Sequence, residues 1–240
     1  MPTLILQVPE ELRFLLPRAY RSGSVRLEAA PTDTVGHVIQ AAGIPLTEVG
    51  ALLVDDHPVP MTAAAIEGVV TIRPVARPQP TPTVPPRFLL DVHLGRLARR
   101  LRLLGLEAAY LPEATDAELV DRARAEQRVL LTQDRGLLRR RALLAGALVR
   151  GSNTAAQLDD VLDRFAPDLQ PWVRCTRCGG LLKPTSLDEA APKLEPGTRQ
   201  TYTEFARCSS CGQIYWRGAH AGRLERVVDH AEEVVRRARR

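Results

Sequence analysis

Lysine is nearly missing from this 240-residue chain: Lys183 and Lys193 are the only two, against 31 arginines. The formal net charge is +5 and the pI about 9.4, which favours polyanionic partners. A base bias in the genome explains the arginine excess equally well. Long apolar runs are also missing. None approaches the roughly 20 residues of a membrane-spanning helix. The start, "MPTLILQVPEELRF", has no basic region followed by a long apolar core, as a signal peptide requires. The expectation is a soluble cytoplasmic protein with no membrane partner. Cysteine is scarce too, with four residues, and these are treated below.

What is present divides the chain. Residues 74–86, "PVARPQPTPTVPP", carry six prolines and read as an extended, semi-rigid linker. Ahead of it, residues 1–73 read as strand ("TLILQV"), strand ("SVRLEA"), and a helix capped near Thr32 or Asp33. A hairpin-like "ALLVDDHPV" and a strand "VVTIRPV" follow. One early helix among short strands predicts a β-grasp, ubiquitin-like module. It runs on through Pro74 rather than ending in Gly-Gly, which excludes carrier chemistry and leaves docking of a protein partner as its expected role.

From Arg87 strands and helices alternate. "RFLLD" leads to "LGRLARRLRLLG", with Leu94, Leu97, Ala98, Leu101 and Leu104 on one helical face. Arg96, Arg99, Arg100 and Arg102 are expected to lie elsewhere on that helix. Gly105 stands at the C-cap position. A strand "EAAYL" comes next. The helix "TDAELVDRARAEQ" opens with Thr115 and Glu118 at capping-box spacing. "RVLLTQD", an Arg-rich helix "RGLLRRRALLA", a fourth strand "ALVRG" and a capped helix "SNTAAQLDDVLDRF" complete residues 87–170. The alternation implies an α/β fold, a parallel sheet flanked by helices with right-handed crossovers.

Two of these strands stop at an acid, Asp91 and Asp134. In a doubly wound sheet of order 2-1-3-4, the first and third strands are neighbours, and ligands sit at their carboxyl ends. Two carboxylates facing one crevice repel each other unless a cation lies between them, and Mg²⁺ or Mn²⁺ suits hard oxygen ligands. Asp116 and Glu118 open the intervening helix at the same edge and are candidate third and fourth acids. Each acid also has a plain structural reading as a helix cap. A metal held beside basic helices fits phosphodiester hydrolysis. Arg96, Arg99, Arg100, Arg135 and the run Arg139–Arg141 are candidate contacts to a polyanionic backbone. Ser152 and Asn153, after the fourth strand, are candidates for phosphate binding.

All four cysteines form one pattern, Cys175-x-x-Cys178 and Cys208-x-x-Cys211. Two such knuckles close a tetrahedral thiolate site for zinc, which with four protein ligands is structural. Residues 171–240 are thus expected to hold a zinc ribbon and a C-terminal helix. Behind the second knuckle, "IYWRGAH" brings Tyr215, Trp216, Arg217 and His220 together. Such a group can clamp nucleotides or pack a small domain.

Residues 87 to about 230 resemble the Mut-seven C-terminal RNase-like domain, a PIN-like nuclease fold with a C-terminal zinc ribbon. The resemblance rests on "FLLDVHLGRLARRLRLLG", "TDAELVDRARAEQRVLLTQDRGLL", "CTRCGG" and "FARCSSCGQIYWRGAH". Residues 1–73 look like the ubiquitin-like module often fused ahead of it. The resemblance implies a metal-dependent ribonuclease acting on single-stranded or structured RNA. Asp91 would be its first-strand acid, Asp116 its helix acid and Asp134 the acid of the T-x-D element begun by Thr132. The chain departs from the pattern at Gly136 and Arg139, where many PIN-like proteins carry a further acid. A non-catalytic RNA-binding or adaptor role is therefore the alternative. His93 stands where an apolar residue is expected. The same position disfavours a phosphatase built on a strand-end Asp nucleophile, which would want a second Asp there.

Overall fold

The computed structural model describes residues 1–218 and 221–240. The N-terminal module contains β1 (Thr3–Gln7), β2 (Ser24–Glu28), α1 (Val35–Ala41), β3 (Val49–Val54), β4 (His57–Val59) and β5 (Gly68–Pro74). Its sheet order is β2-β1-β5-β3-β4, with β1 and β5 parallel at the centre, a β-grasp as expected. Alternation along β1 buries Leu4 and Leu6 under Val35, Val38 and Ile39 of α1. The helix starts later than the sequence suggested. Thr34, not Thr32 or Asp33, caps it, accepting from His37 N at 3.2 Å, while Asp33 accepts from Ala30 N. The β3–β4 hairpin turns on Asp55 and Asp56, both in the left-handed region that a tight hairpin requires.

The second module contains β6 (Arg87–Leu90), α2 (Gly95–Leu103), β7 (Glu107–Tyr110), α3 (Asp116–Ala125) and β8 (Val129–Thr132). It continues through α4 (Arg135–Leu138), β9 (Gly146–Leu148) and α5 (Thr154–Phe165). The strands are all parallel, in order β7-β6-β8-β9, so the expected 2-1-3-4 winding holds. Strands buried on both faces explain the unbroken apolar runs. Phe88, Leu90, Val129 and Leu131 face α2 and α5, whereas Leu89, Leu130 and Leu148 face α3 and α4. Gly105 ends α2 at φ +83°, where a Cβ would lie 2.0 Å from Gln170 O. The Arg-rich helix is a single turn rather than the eleven residues its sequence suggested. After Leu138 the chain turns so that Leu143 reaches the core, and Gly146 lets Leu138 and Leu143 close over it.

One core runs through both modules. Leu4, Leu6, Ile39, Ile44 and Leu52 of the β-grasp pack in the same cluster as Leu89, Leu119, Leu130, Leu137 and Leu148. The β-grasp thereby covers the sheet face that α3 and the short α4 leave open. The proline-rich segment is strapped down rather than a free spacer. Arg77 pairs with Asp160 and Asp163 of α5, and Gln79 exchanges hydrogen bonds with Arg164.

The third part holds β10 (Leu182–Thr185), α6 (Leu187–Ala190), α7 (Pro196–Thr201), β11 (Phe205–Cys208) and β12 (Ile214–Trp216), and the chain ends in α8 (Ala221–Ala238). The strands form an antiparallel ribbon, β10-β11-β12, around a small core of Ala190, Leu194, Phe205 and Ile214. The long insertion between the knuckles thus supplies Ala190 of α6 and Leu194 to that core. Helix α8 returns to the second module, placing Val228, Ala231, Val234 and Val235 in its core. Arg102 departs from its expected place on the solvent side of α2. It is 4% exposed, donates to Ala108 O at 2.8 Å and Arg177 O at 2.7 Å, and so ties the first knuckle to the sheet.

Candidate active site and metal centre

The carboxyl edge of the central sheet gathers the ends of β6, β8 and β9. Asp91 follows β6 and is 6% exposed. Its N–H donates to Leu131 O of the neighbouring strand, and its Oδ1 accepts from Val92 N. Its Oδ2 accepts from Thr132 Oγ1 at 2.6 Å, and the same hydroxyl accepts from Asp134 N at 2.9 Å. A single fully buried hydroxyl therefore links the two strand-end acids. Because its one proton goes to Asp91, only a donor can approach its lone pairs, which fixes the T-x-D turn. Asp134 is exposed, and its Oδ1 caps α4 by accepting from Gly136 N and Leu137 N. Among the described residues its Oδ2 has no hydrogen-bond partner.

The helix acids sit at the start of α3. Glu118 closes the predicted capping box with Thr115, and the Thr115 N–H and hydroxyl hold its carboxyl below the usual range. Asp116 is half-exposed and pairs with Arg140 at 3.3 Å, a partner that sequence spacing alone did not assign. No group of three or more carboxylates among the described residues brings its oxygens within 4.8 Å of one another. The edge thus presents Asp91 and Asp134 linked by Thr132, with Asp116 held by an arginine.

The loop after β9 is stitched to the T-x-D turn by Gln133, whose amide donates to Val149 O and Gly151 O. Asn153 caps α5 through Ala155 N and Ala156 N at 3.0 Å each, and Ser152 is exposed beside it. Arg96 and Arg99 are exposed on α2, Arg100 half-buried, and His93 faces solvent. Arg135 turns toward the β-grasp module, donating to Leu15 O at 3.3 Å. Arg217 lies over the Trp172 ring and 3.7 Å from Glu225. His220 lies outside the described residues.

The cysteines form a distinct centre. All four Sγ atoms lie within 4.8 Å of one another, with Cys175–Cys211 at 3.7 Å and Cys178–Cys208 at 3.4 Å. A disulfide would bring two sulfurs to about 2 Å. A tetrahedral thiolate site with metal–sulfur bonds of about 2.3 Å separates its sulfurs by about 3.8 Å. The spacing fits the second. Burial raises the Cys175 thiol, but hydrogen bonds from Tyr215 and the backbone bring it down to about 6. Burial and the neighbouring sulfurs push Cys178 up to about 12. Four thiols this close resist full ionisation until a cation offsets the charge. The cluster can bind a metal such as zinc, and with four ligands it leaves no open position.

A cleft of about 920 Å³ lies between the ribbon and the nuclease-like module, lined by Trp172, Phe205, Trp216 and Arg217 among others. It is remote in the fold from the carboxylate edge, where the acids argue more strongly for chemistry than cleft size does. No helix among the described residues is long and apolar enough to cross a membrane.

A parallel 2-1-3-4 sheet with acids at its carboxyl edge, a β-grasp ahead of it and a four-cysteine ribbon behind define a nuclease-like α/β protein. The sequence model of the Mut7-C RNAse domain matches residues 86–228, and that of the Mut7-C ubiquitin domain matches residues 1–80. The chain belongs to the Mut7-C RNAse domain family. Neither the curated proteins nor the solved structures yield a significant match.

Proposed function

We propose that this protein is a cytoplasmic metal-dependent ribonuclease with a structural zinc in its ribbon. The Asp91–Thr132–Asp134 link at the carboxyl ends of two neighbouring central strands carries the reading. Membership of the RNAse domain family supports it. The donor set fits Mg²⁺ or Mn²⁺: two carboxylates of the hard-oxygen kind, the outer one with an uncommitted Oδ2, suit an ion that keeps several of its waters. Asp91 and Asp134 would hold the ion, with Asp116 the third acid. When bound, it would polarise the phosphodiester and lower the pKa of a coordinated water.

The rest falls to the chain's own side chains. Thr132 orients Asp91 and sets the backbone position of Asp134. Glu118 caps α3 and so places Asp116 at the edge, where Arg140 restrains it. Arg96, Arg99 and Arg100, exposed or half-exposed beside the edge, would carry the RNA backbone, as would Arg135, Ser152, Asn153 and, on the ribbon, Arg217. Replacing Asp91 or Asp134 by Asn should abolish Mg²⁺-dependent RNA cleavage and leave RNA binding intact or stronger.

One observation favours a second reading, an RNA-binding or adaptor protein without catalysis. The carboxylate oxygens are not gathered into a three-acid cluster, and Gly136 and Arg139 offer no further acid. Purified wild-type protein that leaves RNA uncut with Mg²⁺ and Mn²⁺ supplied, while still binding it, would decide for that reading.

A further inference from the structure

Two guanidinium groups at the carboxylate edge converge on one aromatic ring of the other module. Phe14 lies in the short 3₁₀ helix Glu10–Leu15 of the β-grasp. Arg150 Cζ stands 4.8 Å and Arg135 Cζ 5.5 Å from its ring centroid. Both arginines reach carbonyl oxygens of that same helix, Arg135 to Leu15 O and Arg150 to Glu11 O, at 3.3 Å each. Neither forms an ion pair with a carboxylate among the described residues. Arg150 Nε is buried and has no hydrogen-bond partner among the described residues. Of the other buried or half-buried arginines, Arg87, Arg122, Arg128, Arg164 and Arg174 pair with acids, whereas Arg13, Arg100 and Arg102 do not among the described residues.

Two like charges gathered on one neutral ring, at 4.8 and 5.5 Å from its centroid, repel each other, and cation–π attraction contributes only about 0.5–2 kcal/mol per contact. An anion that reaches both guanidinium groups offsets that repulsion. Their place in the chain says which anion. Arg135 directly follows Asp134, and Arg150 lies in the β9 loop that Gln133 ties to the T-x-D turn.

We propose that Arg135 and Arg150, positioned together by Phe14 of the ubiquitin-like module, form a phosphate-binding subsite for a single-stranded RNA backbone crossing the carboxylate edge. The proposal rests on the ribonuclease reading for its substrate class. It gives the β-grasp a function within this chain, as the support that holds the two arginines. Phe14 is a positioning residue here and touches no substrate.

The test is binding of a fluorescein-labelled single-stranded oligoribonucleotide to the full chain, across a salt series without added divalent metal. Arg150→Gln should weaken binding and lower the slope of log affinity against log salt by about 0.7, the loss of one phosphate contact to a single strand. Phe14→Leu should weaken binding in the same direction and Phe14→Tyr should restore it, with thermal midpoints confirming that each variant is folded. Wild-type affinity and slope in folded Arg150→Gln would overturn the proposal, as would a wild type that binds no RNA. The cleavage reading fails separately: a chain that cuts no RNA yet loses slope in Arg150→Gln keeps the subsite and forfeits the catalysis. A chain whose Arg150→Gln variant binds and cuts normally does the reverse.

Discussion

Glu48 of the β-grasp and Arg164 of α5 form an ion pair between the two modules, each side chain 1% exposed. Arg164 Nη1 donates to both Glu48 oxygens, at 2.8 and 3.0 Å. Leu148 N of β9 donates to the same carboxylate, while Arg164 Nη2 and Nε donate to Thr47 O and Gln79 Oε1, so four of the five guanidinium protons are placed. Every guanidinium nitrogen and both carboxylate oxygens are hydrogen-bonded, as burial of charge requires. It lies within the core that the β-grasp and the central sheet share.

Removing one partner strands the other charge in that core. Glu48→Ala should cost about 3–5 kcal/mol in urea or thermal unfolding. Replacing both, as Glu48→Leu with Arg164→Met, should cost much less than the two single changes together. Residues 1–165 should also melt in one cooperative transition. Two separate transitions would mean that the modules do not share a core.

Thr132 connects the acids through its hydroxyl alone. Thr132→Val keeps the shape, leaves Asp91 Oδ2 and Asp134 N without their partner, and should destabilise by about 1–3 kcal/mol. On the ribonuclease reading, RNA cleavage should fall further than the stability loss explains. Cleavage at the wild-type rate in a folded Thr132→Val protein would detach the hydroxyl from the chemistry.

The ribbon should depend on a metal held by its four clustered cysteines. Chelation should release about one zinc per chain and make four thiols reactive to a thiol reagent, while the β-grasp and central sheet keep their circular dichroism. Cys208→Ser should prevent stoichiometric zinc retention. An iron–sulfur chromophore, or fewer than four thiols after denaturation, would contradict a zinc-thiolate centre.

Acid should weaken the amino-terminal edge of the sheet. Burial raises Glu107, but hydrogen bonds from Arg87 and Arg128 outweigh it and hold its carboxyl below the ordinary 4.5. A carboxyl depressed in the folded state adds stability above its ordinary value and loses it as pH falls through the folded one. The contribution should therefore be complete at neutral pH and disappear below about pH 4.5. Thermal midpoints of Glu107→Gln should fall less steeply than those of wild type over that acid range, and parallel curves would remove Glu107 from the acid response.

Much of the architecture was legible because its signals are local. The capping box of Thr115 and Glu118, the apolar face of α2, the Gly105 terminus and both Cys-x-x-Cys knuckles depend on residues within a few positions of each other. The strand-end acids were legible for the same reason, since an apolar run buried on both faces must stop where a carboxylate begins. The short α4 was not, because its arginines suit a helix and only Leu143, turning back to the core, ends it. The buried place of Arg102 was equally hidden, since its acceptors on the first knuckle lie more than seventy residues away.

The sequence by itself determined the order of strands and helices, the four-cysteine cluster and the two acids that end β6 and β8, because each follows from spacing along the chain. Only the tertiary structure decided that the β-grasp closes the nuclease-like sheet, that Glu48 meets Arg164, and that Arg135 and Arg150 share Phe14. Those pairings join residues about a hundred positions apart. A charged side chain finds such a partner through the packing of whole modules, which no local pattern of polar and apolar residues encodes.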